Sequence, residues 1–190
     1  MSQRTRRKEA TRAAIAEAAR RLFAEKGYAG TRTRDIAEAA GIATGTLFNY
    51  APTKEDIVLL LWKSSVESLV ESGLEAGRQC EDPVDALVAV FEPIYGFYAE
   101  DLELGRVFLQ QAVYASPEDP EMVRLNEGFI AALHELLAPH LGGRAFFAAP
   151  NAFAAYYLTL SGMLGGRSDV AGALVLFRSL LVAQRAGWEA

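Results

Sequence analysis

Gly41 constrains what this chain can fold into more than any other residue. It separates two short segments of helical periodicity, about residues 31–40 and 43–50. Neither can hold a helix unaided, since isolated helices below about 12–15 residues are marginal in water. The pair must pack on something, and the preceding segment supplies it. From about Thr11 to Lys26, Ile15, Ala19, Leu22, Phe23 and Lys26 recur at helical spacing, and Gly27 stands where a left-handed cap is expected. Thr31 is placed to cap the second helix, which turns Ile36, Ala37 and Ala40 inward, and Ile42 follows the glycine as a buried anchor. The third helix runs from about Ala43 to Tyr50 with Leu47 towards the core. Pro52 ends it, because the residue before a proline avoids helical geometry. Two short helices joined at a steep angle by a glycine turn form a helix-turn-helix, and the second is sized for the major groove, about 12 Å wide. Helical bundles contain such pairs too, so the unit alone does not fix a function.

The rest of the 190 residues also reads as helix. Thr53-Lys54-Glu55-Asp56 is a capping box with Asp in place of Glu, and opens a long helix reaching to about Gln79. Asp82-Pro83 opens the next with proline at the first helical position, and Ser116-Pro117-Glu118-Asp119 has the same form. Helices are expected at about 83–101, 103–115, 117–139, 151–164 and 170–187. Pro93 falls inside one of them, lacks a donor and crowds the carbonyl of Ala89, so a kink is expected there with that carbonyl facing a pocket. No period-two pattern persists. The fold class is therefore all-α, about nine helices, with a helix-turn-helix domain over residues 1–53 and a second helical domain over 54–190.

Charge divides along the same line. Residues 1–56 hold eleven Lys and Arg against seven Asp and Glu, while the remainder holds eight against seventeen. A basic end on an acidic body points to a polyanion met by the first segment, though a solvated surface reads the same way. Arg4, Arg6, Arg7 and Lys8 are either a flexible arm crossing a groove or a solvated, disordered end. No apolar run approaches the eighteen or so residues of a membrane span, and Thr11, Arg12 and Glu17 interrupt the alanines that follow the basic start, so neither a membrane partner nor a signal peptide is expected. Cys80 is the single cysteine, which suits a reducing cytoplasm. His134, His140 and Cys80 lie in no nucleophile–base motif, metal-ligand spacing or phosphate loop, so no catalytic residue, metal or cofactor is expected.

The sequence from Leu22-Phe23-Ala24-Glu25-Lys26-Gly27-Tyr28 through Thr31, Asp35-Ile36-Ala37-Glu38-Ala39-Ala40-Gly41-Ile42, Gly45-Thr46-Leu47-Phe48-Asn49-Tyr50 and Lys54-Glu55 closely resembles the DNA-binding domain of the tetracycline-repressor family of bacterial regulators. The resemblance covers about residues 10–57; beyond them only length and helical character match. It implies a repressor that holds a pseudo-palindromic double-stranded operator as a homodimer and is released by a small apolar or aromatic molecule. By position it implies that Thr33 and Arg34 reach phosphates and sometimes a base, that Thr44, Gly45, Thr46, Asn49 and Tyr50 lie on the exposed side of the recognition helix, and that Lys54 binds a phosphate. The chemistry agrees: Arg34 can pair with guanine and Asn49 with adenine, Gly45 lets the backbone approach closely, and free amides at a helix N-terminus favour an anion beside Lys54. Two positions depart from the family pattern. Phe48 stands where tyrosine is frequent and offers no hydroxyl to a phosphate, and Ala51 stands where phenylalanine is usual and leaves a smaller plug.

The resemblance makes residues 54–190 a ligand-binding and dimerisation domain. It places the effector among the fourth to eighth helices, so Trp62, Phe91, Tyr95, Tyr98, Phe108, Gln111 and Phe129 are candidate lining residues; each can equally be core. Phe153, Tyr157 and Leu160, with Leu174, Phe177 and Leu181 on the last helix, are candidates for a four-helix interface between protomers, against intrachain packing. The rival readings are an enzyme and a helical ligand- or partner-binding protein with weakened DNA recognition.

Overall fold

Capping chemistry sets the helix boundaries of the computed structural model, which describes the backbone of residues 2–114 and 120–189, and their side chains apart from residues 63, 64, 111–122 and 189. Among the described residues there are nine α-helices and no strand: α1 Gln3–Gly30, α2 Thr33–Ala39, α3 Thr44–Phe48, α4 Lys54–Gly77, α5 Pro83–Glu100, α6 Leu102–Tyr114, α7 Pro120–Leu141, α8 Ala145–Leu164 and α9 Val170–Glu189. The start expected at Ser116 to Asp119 lies outside the described residues. The chain falls into two compact units, Met1–Glu67 with Arg106–Gln111, and Ser68–Gly105 with Ala112–Ala190. The division between these units falls inside α4: the buried Ile57, Val58 and Leu61 of its first half belong to the first unit.

In the first unit α1 starts earlier than its apolar periodicity. Ser2 caps it by accepting from the Thr5 amide at 3.2 Å, so Arg4, Arg6, Arg7 and Lys8 stand on an exposed helical turn and form neither a loose arm nor a disordered end. Gly27, at φ 71° and ψ 164°, breaks the helix in a conformation that side chains disfavour. Thr31 closes α1 and does not cap α2: its buried hydroxyl donates to the carbonyls of Gly27 at 2.8 Å and Leu22 at 3.1 Å. α2 ends in a Schellman turn. The Ile42 amide reaches back to the Ala37 carbonyl at 3.0 Å and the Gly41 amide to Glu38 at 3.1 Å, with Gly41 at φ 69°. Ile15, Ala19, Leu22, Phe23, Ile36, Ala37, Leu47, Ala51 and Ile57 form the core beneath it.

In the second unit Asp82 caps α5, accepting from the Val84 amide at 2.8 Å and the Asp85 amide at 3.2 Å, and Pro83 opens the helix. Pro93 does not interrupt α5, which is helical from Pro83 to Glu100, and the Ala89 carbonyl lies against α4 at Gly73 instead of facing a pocket. α4 approaches α5 so closely that a Cβ on Gly73 would stand 2.8 Å from Val90 Cα, and one on Gly77 2.8 Å from the Ala86 carbonyl oxygen. α7 carries through Pro139 with His134 and His140 on it. α8 starts six residues ahead of its expected position and holds Pro150 inside, because Ala145, Ala148 and Ala149 bury against their neighbours. The bond that Pro150 forfeits is to the carbonyl of residue 146, in a turn whose phenylalanine faces solvent. α5, α7, α8 and α9 pack on one another around this unit's core.

Candidate nucleic-acid interface

α3 is anchored by one side only. Leu47 and Ala51, four residues apart and fully buried, point it into the first unit's core. Helical geometry then sends Gly45, Thr46 and Asn49 to the opposite side, where all three are exposed, and leaves Thr44 and Tyr50 half-buried at its edges. Thr33 is half-buried and Arg34 exposed in the first turn of α2. The Ala51 site is closed within the core and Phe48 is exposed. One helix thus presents a short, mostly polar surface with an aromatic ring on its flank.

Lys54 opens α4, and its ammonium sits 4.1 Å from the centre of the Tyr28 ring. Two of the amides there, of Thr53 and Asp56, are taken by the cap itself. Thr53 Oγ1 accepts from the Asp56 amide at 3.1 Å, and Asp56 accepts from the Thr53 amide at 2.8 Å and hydroxyl at 2.7 Å. Two acids, Glu55 and Asp56, also occupy the first turn. Tyr28 was not singled out by sequence reasoning, yet it holds both neighbours: its ring lies under Lys54 and its hydroxyl donates to Glu55 at 2.8 Å. Glu55 is held below the ordinary carboxylate range, first by its own backbone amide and then by the Tyr28 hydroxyl, against a smaller opposing effect of burial. A carboxylate with a depressed pKa in the folded state stabilises above its usual pKa and loses that contribution as pH falls through the folded value. Tyr28→Phe therefore brings the Glu55 titration midpoint, followed by NMR, back up towards the ordinary value. Its destabilisation is largest at neutral pH and fades in acid, while the ring beneath Lys54 remains.

The candidate effector residues divide between the units. In the first, Trp62 and Phe108 stack at 3.9 Å with planes 10° apart. In the second, Phe91, Tyr95 and Tyr98 are buried and Phe129 half-buried. Phe91 stacks on Tyr156 at 4.6 Å, meets Phe177 edge-on at 5.1 Å and lies 5.4 Å from Phe129. The side chain of Gln111 lies outside the described residues. Tyr156, not among the expected residues, sits at the hub of this cluster. Polar groups enter it as satisfied pairs: Tyr95 and Thr159 share a hydrogen bond, and Thr159 also donates to the Ala155 carbonyl at 2.9 Å. Burial raises the phenols of Tyr95 and Tyr156, and pushes Tyr157 up to about 12, so all three are neutral donors at physiological pH.

The candidate interface residues are corrected in part. Leu160, Phe177 and Leu181 are each 0% exposed and pack inside their own chain, Phe177 against Phe91 and Tyr95, so they cannot meet a partner. Phe153, Tyr157 and Leu174 are half-buried. The outward side carries other residues: Leu158 at 62% exposure, Val175 at 67%, Leu176 at 51% and Val182 at 54%. α9 is in addition long and apolar enough to cross a membrane by length and composition, with mean hydropathy 1.3 over Val170–Trp188, which the absence of an uninterrupted apolar run had not suggested. Among the described residues no group of three or more His, Cys, Asp or Glu is placed to hold a metal ion.

Comparison with known proteins bears both on the α1–α4 region and on the fold of nearly the whole chain. Residues 15–61 match the bacterial regulatory proteins of the tetR family. A fatty acid metabolism regulator protein of Bacillus subtilis is 31% identical over 93 residues, which span 49% of this chain and 48% of that protein. The chain thus covers about half the length of that relative. Among solved structures, a TetR transcriptional regulator from Rhodococcus sp. RHA1 superposes with a TM-score of 0.71 at 22% identity, covering 93% of this chain and 95% of the other. The FadR repressor of Thermus thermophilus, in complex with lauroyl-CoA, gives 0.68 at 24% identity over 90% of this chain and 93% of its own. At these identities the structural likeness establishes the fold.

Proposed function

We propose that this chain, whose residues 15–61 match the bacterial regulatory proteins of the tetR family, is a repressor that binds a pseudo-palindromic operator as a homodimer and is released by a small apolar or aromatic effector. The observation that carries the reading is α3: buried through Leu47 and Ala51, it offers Gly45, Thr46 and Asn49 outward, beside Arg34 of α2. Thr33, Thr44, Tyr50 and Lys54 complete the DNA-binding set, the first three on its edges and Lys54 through its ammonium. A second copy covers Leu158, Val175, Leu176 and Val182, with the half-buried Phe153, Tyr157 and Leu174 at the margin, so that two heads meet successive major-groove faces. The effector is held within the second unit, by the aromatic residues Phe91, Tyr95, Tyr98 and Phe129. The Bacillus subtilis relative is a fatty acid metabolism regulator and the Thermus thermophilus neighbour holds lauroyl-CoA, so long-chain acyl-CoA thioesters are the first effectors to test. α4 is continuous from Lys54 to Gly77 across the division at Glu67. A ligand that favours a different tilt of this helix moves Lys54 with it, and a coupling of about 1–3 kcal/mol changes affinity several-fold to a hundredfold. The regulator works in the cytoplasm.

The test is fluorescence anisotropy of the full chain on promoter DNA from beside its own gene, at several salt concentrations. Affinity that falls steeply with salt and drops on addition of lauroyl-CoA or another apolar ligand is expected. Affinity for no duplex, or for all duplexes alike, overturns the regulator in favour of a partner-binding protein. Arg34→Ala is expected to weaken operator binding by about 1–3 kcal/mol if the guanidinium reads a base, and to flatten the salt slope if it meets a phosphate. An unchanged affinity and slope remove Arg34 from the interface.

A further inference from the structure

Phe48 is the anomaly of the DNA-facing unit. The unit's other large apolar side chains are buried, as Ile15, Leu22, Phe23, Ile36, Leu47, Ile57 and Leu61 are, or half-buried, as Ile42, Leu59, Leu60 and Trp62 are, while Phe48 is 45% exposed. A phenylalanine facing water on a five-residue helix is not held there by the core. The core direction of α3 is already taken by Leu47 and Ala51. Beside the ring, one turn earlier on the same flank, Gly45 presents open space, with nothing within 4 Å of where a Cβ would stand. The surface therefore combines an exposed apolar ring with open space next to it, on the helix that this reading lays in the major groove.

A ring without a hydroxyl cannot donate to a phosphate, and it has no use for the donors and acceptors of base edges. The major groove displays one apolar group that discriminates between bases, the 5-methyl of thymine. We propose that Phe48 is a specificity-determining residue that packs its ring on a thymine methyl in each half-site, the open space at Gly45 admitting that base edge. Recognition at this position then depends on a methyl group and not on a hydrogen bond. The inference rests on the DNA-binding reading above.

The experiment uses the full-length chain and a duplex obtained by in vitro selection from random DNA. Each thymine of the selected half-site is replaced in turn by deoxyuridine, which removes the methyl and preserves pairing. One position per half-site is expected to lose roughly fourfold in affinity, the effect of one apolar carbon returned to water, and to lose that sensitivity in Phe48→Ala. Phe48→Tyr keeps the ring and should keep the sensitivity. Because the ring is exposed, circular dichroism should show Phe48→Ala folding as the parent does. A flat deoxyuridine scan on a duplex that the chain binds in a salt-dependent way overturns the role of Phe48 alone. That role also falls if Phe48→Ala retains the parent's sensitivity or if selected half-sites lack thymine. A selection that enriches no duplex overturns the DNA-binding reading and the inference with it.

Discussion

Gly73→Leu is expected to lower the thermal midpoint by several degrees and the folding free energy by about 2–3 kcal/mol, in the upper part of the range for overpacked cores. The reason is what the new side chain meets. A Cβ at residue 73 would stand 2.8 Å from Val90 Cα and 2.9 Å from the Val90 carbonyl oxygen, both backbone atoms of α5. Flexible side chains can swing away from an intruder, but a helix backbone moves only as a body. Helix propensity acts the other way, since glycine in a helix interior is about 1 kcal/mol worse than alanine. Gly96 isolates that contribution: it lies on α5 with nothing within 4 Å of its missing Cβ, so Gly96→Ala should stabilise by up to about 1 kcal/mol. Opposite signs at two helical glycines, measured by chemical denaturation, identify the α4–α5 contact as the cause. Equal signs would mean that the close approach at Gly73 does not persist in solution.

Features written in adjacent residues were legible before the fold was known. The Asp82-Pro83 start of α5 and the Thr53–Asp56 cap of α4 each need only three or four consecutive residues, and both form as the sequence implies. So does the Gly41 turn, whose left-handed φ no neighbouring residue type supplies cheaply. Misreadings came where a local signal met a tertiary one. The helix expected from about residue 151 starts at Ala145, because the hydrogen bond that Pro150 forfeits on an exposed turn is outweighed by the buried alanine face at 145–149. Thr31 reads as an N-cap, yet its hydroxyl turns back to close α1, a choice set by the break at Gly27.

The same distinction runs through the candidate site. The orientation of α3 follows from Leu47 and Ala51 at helical spacing, whereas the role of Tyr28 depends on Glu55, 27 residues along the chain. α9 is apolar on more than one side, and periodicity cannot say which side meets its own core. Leu176 and Phe177 are neighbours in sequence. Packing against Phe91 and Tyr95 takes Phe177 inward, and that contact leaves Leu176 outside.

That outward side sets the largest effect we expect. In the double variant Leu176→Arg, Val182→Arg the proposed dimer should dissociate and operator affinity should fall by about 10²–10⁴-fold, the gain lost when a second tethered head no longer binds. Both residues are exposed in the single chain, at 51% and 54%, so arginine there disturbs no intrachain packing and circular dichroism should be unchanged. In a two-fold interface each substitution meets its own face in the mate, so four guanidinium groups would be brought together in a place that had been apolar. Like charges so juxtaposed cost several kcal/mol, more than a handful of aliphatic contacts returns at about 25 cal/mol per Å². Ser179 lies between them on the same side and is also exposed, so Ser179→Ala should leave the dimer intact and serves as the control for altering this face without charge. Analytical ultracentrifugation reads the assembly directly. If the double-arginine variant sediments as a dimer and still binds its operator as the parent does, the protomers meet elsewhere, and the exposed side of α9 needs another occupant.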